Sequence, residues 1–274
     1  MPTYFNGGLI FVHIPKCAGT SVRKALHNNQ LQLFPETKGN ATGYRQHESL
    51  IEIKPTYARK WGDERFEQVP IVSTVRHPID RAISWWKYGN AKNLENFLLS
   101  KQADFFGGKQ LFNARTSFHP YVTPKDCEMY HLKIPQCHHA TNREHVEEFG
   151  SLSFHDYMGR MTTWKETGCE YPSCPYHALA PQVDWLRAED GKVPRERLSL
   201  FIVDRLSDLQ SYLPDLTLIR QNNASGRRGE DYRDHLTSQS LSLIMEHYAE
   251  DFELYESLKS EPHIREPIYF SQMK

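Results

Sequence analysis

The chain has 274 residues and a formal net charge of −1, from 33 basic and 34 acidic side chains. This balance argues against a nucleic-acid coat and against a polybasic arm that binds membrane surfaces. No apolar run approaches the roughly 20 residues of a membrane-spanning helix. The first residues, MPTYFNGG, lack the basic and apolar segments of a secretory signal. We therefore expect a chain with no membrane span and no nucleic-acid partner.

The stretch LIFVHIPKCAGTSVRKAL, residues 9–26, has the pattern of a strand, a small-residue loop and a helix. Leu9–Val12 is a continuous apolar run with β-branched members, typical of a strand buried on both faces. A helix is predicted from Ser21 onward. Such a junction directs backbone N–H groups and a helix N-terminus at an anion. We predict a phosphate-binding loop made of Pro15, Lys16, Cys17, Ala18, Gly19, Thr20 and Ser21.

The loop does not follow the Walker pattern, in which a glycine directly precedes the lysine, because here Lys16 comes before Gly19. The alternative interpretation is an ordinary tight turn with a surface lysine. Thr20 and Ser21 would supply additional hydroxyl donors to a phosphate oxygen.

Further elements follow along the chain. We predict one or two helical turns within residues 46–60, interrupted at Pro55, and then a strand at 70–75. Pro78 is suited to the first turn of a helix that runs to about Tyr88. The remaining predicted elements are a helix at 151–164, a strand at 198–203, a helix at 206–213 and one long helix at 238–258.

Alternation of strands and helices predicts an α/β fold, with a P-loop-like parallel sheet and helices on both of its faces. Ligands of such sheets bind beyond the carboxyl ends of the strands, where Lys16 and Arg76 emerge. Residues 90–150 show no sustained periodicity. We expect a single domain over residues 1–274, with an irregular insertion at about 90–190.

The segment that follows the second strand has the spacing Arg-x-Pro-x-x-Arg-x-x-Ser, from Arg76 to Ser84. Together with the Pro-Lys-x-x-Gly-Thr-Ser loop, it resembles the sulfotransferase superfamily, which transfers sulfonate from 3′-phosphoadenylyl sulfate (PAPS). The resemblance implies that the loop holds the 5′-phosphosulfate and that Arg76 and Ser84 hold the 3′-phosphate. Arg81 is interpreted as a helix salt-bridge partner.

The chain looks most similar to the carbohydrate branch, which includes heparan sulfate and uronyl 2-O-sulfotransferases. The segments concerned are His-Ile-Pro-Lys-Cys-Ala-Gly-Thr-Ser, the helix at 248–255 and the basic loop at 222–228. By this resemblance Arg227 or Arg228 adds a further contact to the nucleotide. The middle third finds no counterpart, and acceptor specificity is expected there.

The resemblance implies in-line transfer to a carbohydrate hydroxyl. Lys16 is expected to neutralise the leaving oxygen, and His47 to act as general base, with Glu48 as the alternative. A small-molecule alcohol, phenol or lipid is the alternative acceptor. From other classes, a nucleotide kinase and an inactive PAP-binding module stay open.

No metal is needed in this mechanism, because the cations supply the charge. The oligomeric state stays open. The chain as written is expected to be cytoplasmic, or to be in the Golgi lumen if it is a trimmed catalytic domain. Cys17 is expected to contribute its backbone N–H. Disulfides, free thiols and zinc ligation stay open for the other cysteines, which are Cys127, Cys137, Cys169 and Cys174.

Overall fold

A computed structural model describes residues 3–4, 7–28, 48–89, 153–162, 180–214, 236–261 and 266–268 of the chain. The strands within these ranges are β1 (Thr3–Tyr4), β2 (Leu9–Val12), β3 (Ile71–Val75) and β4 (Leu198–Ile202). The helices in the first half are α1 (Gly19–Asn28), α2 (Leu50–Trp61), α3 (Asp63–Gln68) and α4 (Pro78–Gly89). Those in the second half are α5 (Phe154–Thr162), α6 (Gln182–Leu186), α7 (Leu206–Tyr212), α8 (Ser238–His247) and α9 (Ala249–Ser260), with a 3₁₀ turn at Val203–Arg205.

The sheet has the strand order β1-β2-β3-β4. Strands β2, β3 and β4 are parallel, with Ile10 paired to Ile71 and Ile71 paired to Leu198, whereas β1 is antiparallel to β2. Every residue of β2, β3 and β4 is buried. The apolar runs therefore form strands covered on both faces, as parallel strands generally are.

Two apolar clusters cover the two faces of the sheet. On one face, Leu9, Phe11 and Phe201 pack with side chains of α1 and α7. On the other, Ile10, Val12 and their neighbours in β3 and β4 pack with α2, α3, α6 and α9. The prediction of an α/β fold with helices on both faces of a parallel sheet is thus confirmed. Residues 90–152 and 163–179, the larger part of the expected insertion, lie outside the described residues.

Helix α2 runs through Pro55 without a break, so the predicted interruption there was wrong. The helix begins with a capping interaction, in which the Ser49 amide donates to the Glu52 carboxylate over 2.8 Å. Its inner face buries Ile53 and Tyr57 against the sheet. Tertiary packing of this face outweighs the one backbone hydrogen bond that a proline cannot donate.

The single helix predicted at 238–258 is instead two helices, α8 and α9, which meet at Tyr248. Tyr248 has φ −112° and ψ 28°, outside helical values. In α9, Leu254 and Leu258 lie in the core, and Asp251 is also buried. Within the described part of the chain, no helix is long and apolar enough to cross a bilayer.

Candidate active site

The loop between β2 and α1 has a strained backbone on both sides of Cys17. Lys16 has φ 65° and Ala18 has φ 58°, in the left-handed region that non-glycine residues seldom adopt. Each such residue costs about 1–2 kcal/mol. Two interactions stabilise this conformation: the Cys17 amide donates to the Ile14 carbonyl over 3.3 Å, and the Thr74 hydroxyl donates to the Cys17 carbonyl. Backbone strain of this kind concentrates at ligand-binding sites.

Gly19, the first residue of α1, lies directly against a buried ring. A Cβ atom at this position would lie 1.8 Å from Cδ2 of His13. His13 is itself only 3% exposed and stacks on Phe11 with 5.9 Å between ring centroids. Any side chain at residue 19 would therefore displace either the ring or the start of the helix. The glycine of the predicted loop is therefore required for packing against His13.

The backbone amides of the loop divide into two groups. Those of Cys17 and Ser21 donate within the loop, to Ile14 and Ala18 respectively. For the amides of Gly19 and Thr20, no acceptor occurs among the residues that the structure describes. Both belong to the first turn of α1, where amides have no intrahelical acceptor. Amides at such a helix N-terminus are suited to hold an anion.

Lys16 and Arg76 lie together beyond the carboxyl ends of the neighbouring strands β2 and β3. Nη1 of Arg76 is 3.5 Å from the carbonyl oxygen of Lys16. Burial, and secondarily the charge of Arg76, lower the pKa of Lys16 to about 8. Such a pair of cations is unfavourable alone and favourable once an anion binds between or beside them. Both side chains are half-buried, as are Thr20, Ser21 and Ser84.

The backbone of Arg76 is held by Gln182 of α6, a residue 106 positions further along the chain. The Arg76 amide donates to Oε1 of Gln182 over 2.9 Å, and Nε2 of Gln182 donates to the Arg76 carbonyl over 2.9 Å. Gln182 is 1% exposed. The sequence analysis missed this residue, because a lone glutamine carries no spacing or periodicity that would single it out.

The Cys17 side chain is fully buried and donates from Sγ to Oε1 of Gln182 over 3.0 Å. Burial raises the pKa of its thiol to about 11. A thiol in this state is a poor nucleophile. The structure therefore provides no chemical role for the sulfur, and it leaves the expected backbone role of Cys17 as a prediction.

Arg81 forms a buried ion pair across the fold. Its Nη1 is 3.8 Å from Oδ2 of Asp251, its Nε donates to the Pro15 carbonyl over 3.2 Å, and Nη1 donates to the Ala180 carbonyl over 2.9 Å. Arg81 is thus an ion-pair partner, but its partner is in another helix rather than one turn along α4. The sequence analysis also missed Asp251, which lies in the predicted long helix three residues after the buried Tyr248.

Several predicted residues lie outside the described part of the chain: His47, Arg227, Arg228, Cys127, Cys137, Cys169 and Cys174. Glu48, the alternative base, is half-buried and directly precedes Ser49, the N-cap of α2. Among the described residues, no group of three or more His, Cys, Asp or Glu side chains is arranged to hold a metal ion.

A family model described as the Sulfotransferase family matches residues 6–149, just over half of the chain. The chain therefore belongs to the sulfotransferase family, and it is an enzyme that transfers a sulfonate group to a hydroxylated acceptor. The matched segment includes the Lys16 loop, Arg76 and Ser84, but neither Gln182 nor Asp251. No curated protein and no solved structure matches the chain.

Proposed function

We propose that this enzyme transfers sulfonate from PAPS to a hydroxyl of a carbohydrate acceptor. The single observation that supports PAPS as the donor is the adjacency of two cationic half-sites, the Lys16 loop and Arg76. They emerge side by side from β2 and β3. A donor with phosphates at both ends of its ribose requires cations at two neighbouring points.

The chemistry of this site suits such a donor. In the proposal, Lys16 and the amides of Gly19 and Thr20 hold the 5′-phosphosulfate, with the other loop residues shaping the turn. Arg76 and Ser84 hold the 3′-phosphate, since a guanidinium can make two parallel charge-assisted hydrogen bonds to it. Arg227 or Arg228 adds a further contact from its basic loop.

Transfer follows an in-line displacement, in which the acceptor oxygen bonds to sulfur as the bond from sulfur to the 5′-phosphate oxygen breaks. Negative charge grows on that leaving oxygen, and Lys16 is placed in the loop to neutralise it. His47 accepts the proton of the acceptor hydroxyl, as a neutral imidazole can at neutral pH. Glu48 is the alternative proton acceptor.

The carbohydrate acceptor is supported by the resemblance of the loop, of the 248–255 segment and of the 222–228 segment to 2-O-sulfotransferases. We place acceptor recognition in the insertion at about 90–190 of a single domain. A small-molecule alcohol, phenol or lipid is the competing acceptor. Incubation with labelled PAPS and a panel of glycans, alcohols and phenols distinguishes them, and failure of the wild-type enzyme to bind PAP would overturn the donor assignment.

Replacement of the loop lysine tests the chemistry. Lys16→Ala should lower turnover by about 10²–10³-fold, the usual loss when one group that stabilises transition-state charge is removed. Lys60→Ala is the matched control, because Lys60 is an exposed lysine whose ammonium lies over the Trp61 ring of α2. Turnover of Lys16→Ala close to that of Lys60→Ala would remove Lys16 from the mechanism.

The assignment of the base has a separate test. His47→Ala should lower turnover and abolish the acid limb of the pH–rate profile, because that limb reports the protonation of the base. An unchanged acid limb in His47→Ala, with the limb lost in Glu48→Gln, would transfer the role to Glu48.

A further inference from the structure

We infer that Gln182 is a positioning residue for the donor: it fixes Arg76, and thereby the grip on the 3′-phosphate, relative to the Lys16 loop. This inference rests on the proposed function, because it assigns Arg76 to the donor. It places part of the donor site in the C-terminal half of the chain, beyond the segment that the family model matches.

Gln182 joins the two half-sites through one buried side-chain amide. Its Oε1 accepts both from the Arg76 amide over 2.9 Å and from the Cys17 thiol over 3.0 Å. Its Nε2 donates to the Arg76 carbonyl over 2.9 Å. The last residue of β3 is Val75, which is paired with Ile202 of β4. The side chain of Gln182 thus provides a strand-like partner for the next peptide, one residue beyond the end of the sheet.

Gln182 is itself anchored by one buried charge, the carboxylate of Asp251. Oδ2 of Asp251 accepts from the Gln182 amide over 2.7 Å, and Oδ1 accepts from the Val183 amide over 3.0 Å. Asp251 also pairs with Arg81, whose Nε donates to the Pro15 carbonyl over 3.2 Å. We name Arg81, Gln182 and Asp251 the polar brace. It contacts the loop at Pro15 and Cys17, and the end of β3 at Arg76.

The brace has little freedom to move. Its three side chains are between 1% and 3% exposed, and buried hydrogen-bonded groups are costly to leave without partners. Loss of the side-chain amide of Gln182 would remove both hydrogen bonds to the Arg76 peptide, which would then shift or bind water. The guanidinium of Arg76 would then lose its defined position, whereas the rest of the loop would keep its bonds to Ile14 and Thr74.

The test is a double-mutant cycle on PAP binding, measured by calorimetry. Gln182→Met keeps the side-chain length and removes both polar atoms. It should weaken PAP about tenfold, the order of loss seen when a group that orients a ligand-binding side chain is removed. In the Arg76→Ala background, the same substitution should change PAP affinity by less than about twofold, because the residue it acts through is gone. Binding of 5′-AMP, which lacks the 3′-phosphate, should also change by less than about twofold.

Ser240→Ala is the matched control for a loss of buried hydrogen bonding. The Ser240 hydroxyl is also fully buried, but it bonds to Thr237 at the start of α8. PAP affinity should be unchanged in this variant. If Gln182→Met does not fold, Gln182→Ala takes its place in the cycle, because it leaves room for water to solvate the Arg76 peptide.

Wild-type PAP affinity in the Gln182 variant would overturn the inference, and so would an equal loss with and without Arg76. An equal loss for PAP and 5′-AMP would also overturn it, since that pattern indicates general damage to the loop. If the wild-type enzyme does not bind PAP, the proposed function fails and the inference fails with it. Normal PAP binding by both the wild type and the variant removes only the inference.

Discussion

Lys16 and Arg76 are two cations held close together beyond the ends of β2 and β3. The backbone around Lys16 is in the left-handed region, and the Arg76 backbone is bonded on both sides to Gln182. The repulsion between these charges and the partial burial of Lys16 are costs that a bound anion offsets. Fixing the backbone at both cations reduces the reorganisation that ligand binding requires.

The pH dependence of the reaction follows from the lowered pKa of Lys16, which is about 8. A lysine stays charged below its pKa, so kcat/KM for the donor should be level from the end of the acid limb of the base up to about pH 8, and should fall about tenfold per unit above it. In the donor complex, the phosphates favour the charged amine, so the corresponding limb of kcat should lie at higher pH. Steady-state rates over pH 6–10 measure both limbs.

Lys16→Arg is the control for this limb, since arginine stays protonated throughout that range. The residual activity of this variant should lack the limb near pH 8. A wild-type kcat/KM that stays level to about pH 10 would contradict the assignment of the limb to Lys16.

Gly19 is the second residue for which the structure makes a definite prediction. Gly19→Ala should destabilise the fold by about 1–3 kcal/mol, the usual cost of overpacking, because its Cβ would overlap the His13 ring. Gly159→Ala in α5 is the matched control, since a Cβ there meets no atom of the described residues within 4 Å. That helical substitution should be neutral or stabilising by roughly 0.5–1 kcal/mol. Urea unfolding measures both, and equal effects would show that the His13 contact is not responsible.

At the scale of elements, the parallel strands were the easiest to predict. Leu9–Val12 and the runs at 70–75 and 198–203 are short, apolar and rich in β-branched residues, and a strand covered on both faces needs that composition along its whole length. Helix α2 was harder, because the local signal of Pro55 opposes a helix whose stability comes from Ile53 and Tyr57 in the core.

Replacement of Pro55 by a residue with a backbone N–H should stabilise α2. Pro55 is exposed and lies five residues after Leu50, the first residue of α2. Pro55→Ala restores a backbone donor and should raise the free energy of unfolding by about 1–3 kcal/mol, after allowance for the greater freedom of the unfolded chain. Urea denaturation provides the measurement, with Thr56→Ala, the neighbouring half-buried position of the same helix, as the reference. A decrease for Pro55→Ala would mean that the proline ring is needed in its present packing.

At the scale of the whole molecule, the ion pair of Arg81 and Asp251 joins α4 to α9 through the buried region beside the loop. Asp251 is 1% exposed and Arg81 is 3% exposed. Burial raises the pKa of Asp251, while Arg81 and the amides of Gln182 and Val183 favour its charged form. Each charge is compensated by the other and by backbone groups, so removing one leaves the other charge without its ionic partner in a low-dielectric interior.

Asp251→Ala should therefore lower the free energy of unfolding by about 3–5 kcal/mol, the typical result of leaving one buried charge without its partner. The double variant Arg81→Met/Asp251→Leu should lose less than the sum of the two single substitutions. Chemical denaturation of the wild type, Arg81→Met, Asp251→Leu and the double variant provides the cycle. Strict additivity would show that the two residues contribute to stability independently.

The sequence by itself determined the parallel sheet, the place of the small-residue loop after β2 and the order of Lys16, Arg76 and Ser84. Each of these has a local signal, since burial on both faces requires apolar runs and phosphate chemistry requires a cation beside small residues. Only the tertiary structure decided the polar brace. Gln182 meets Arg76 across 106 positions and Asp251 across 69. One buried hydrogen-bonding side chain has no period or spacing in the sequence, so its partner depends on the path of the folded chain.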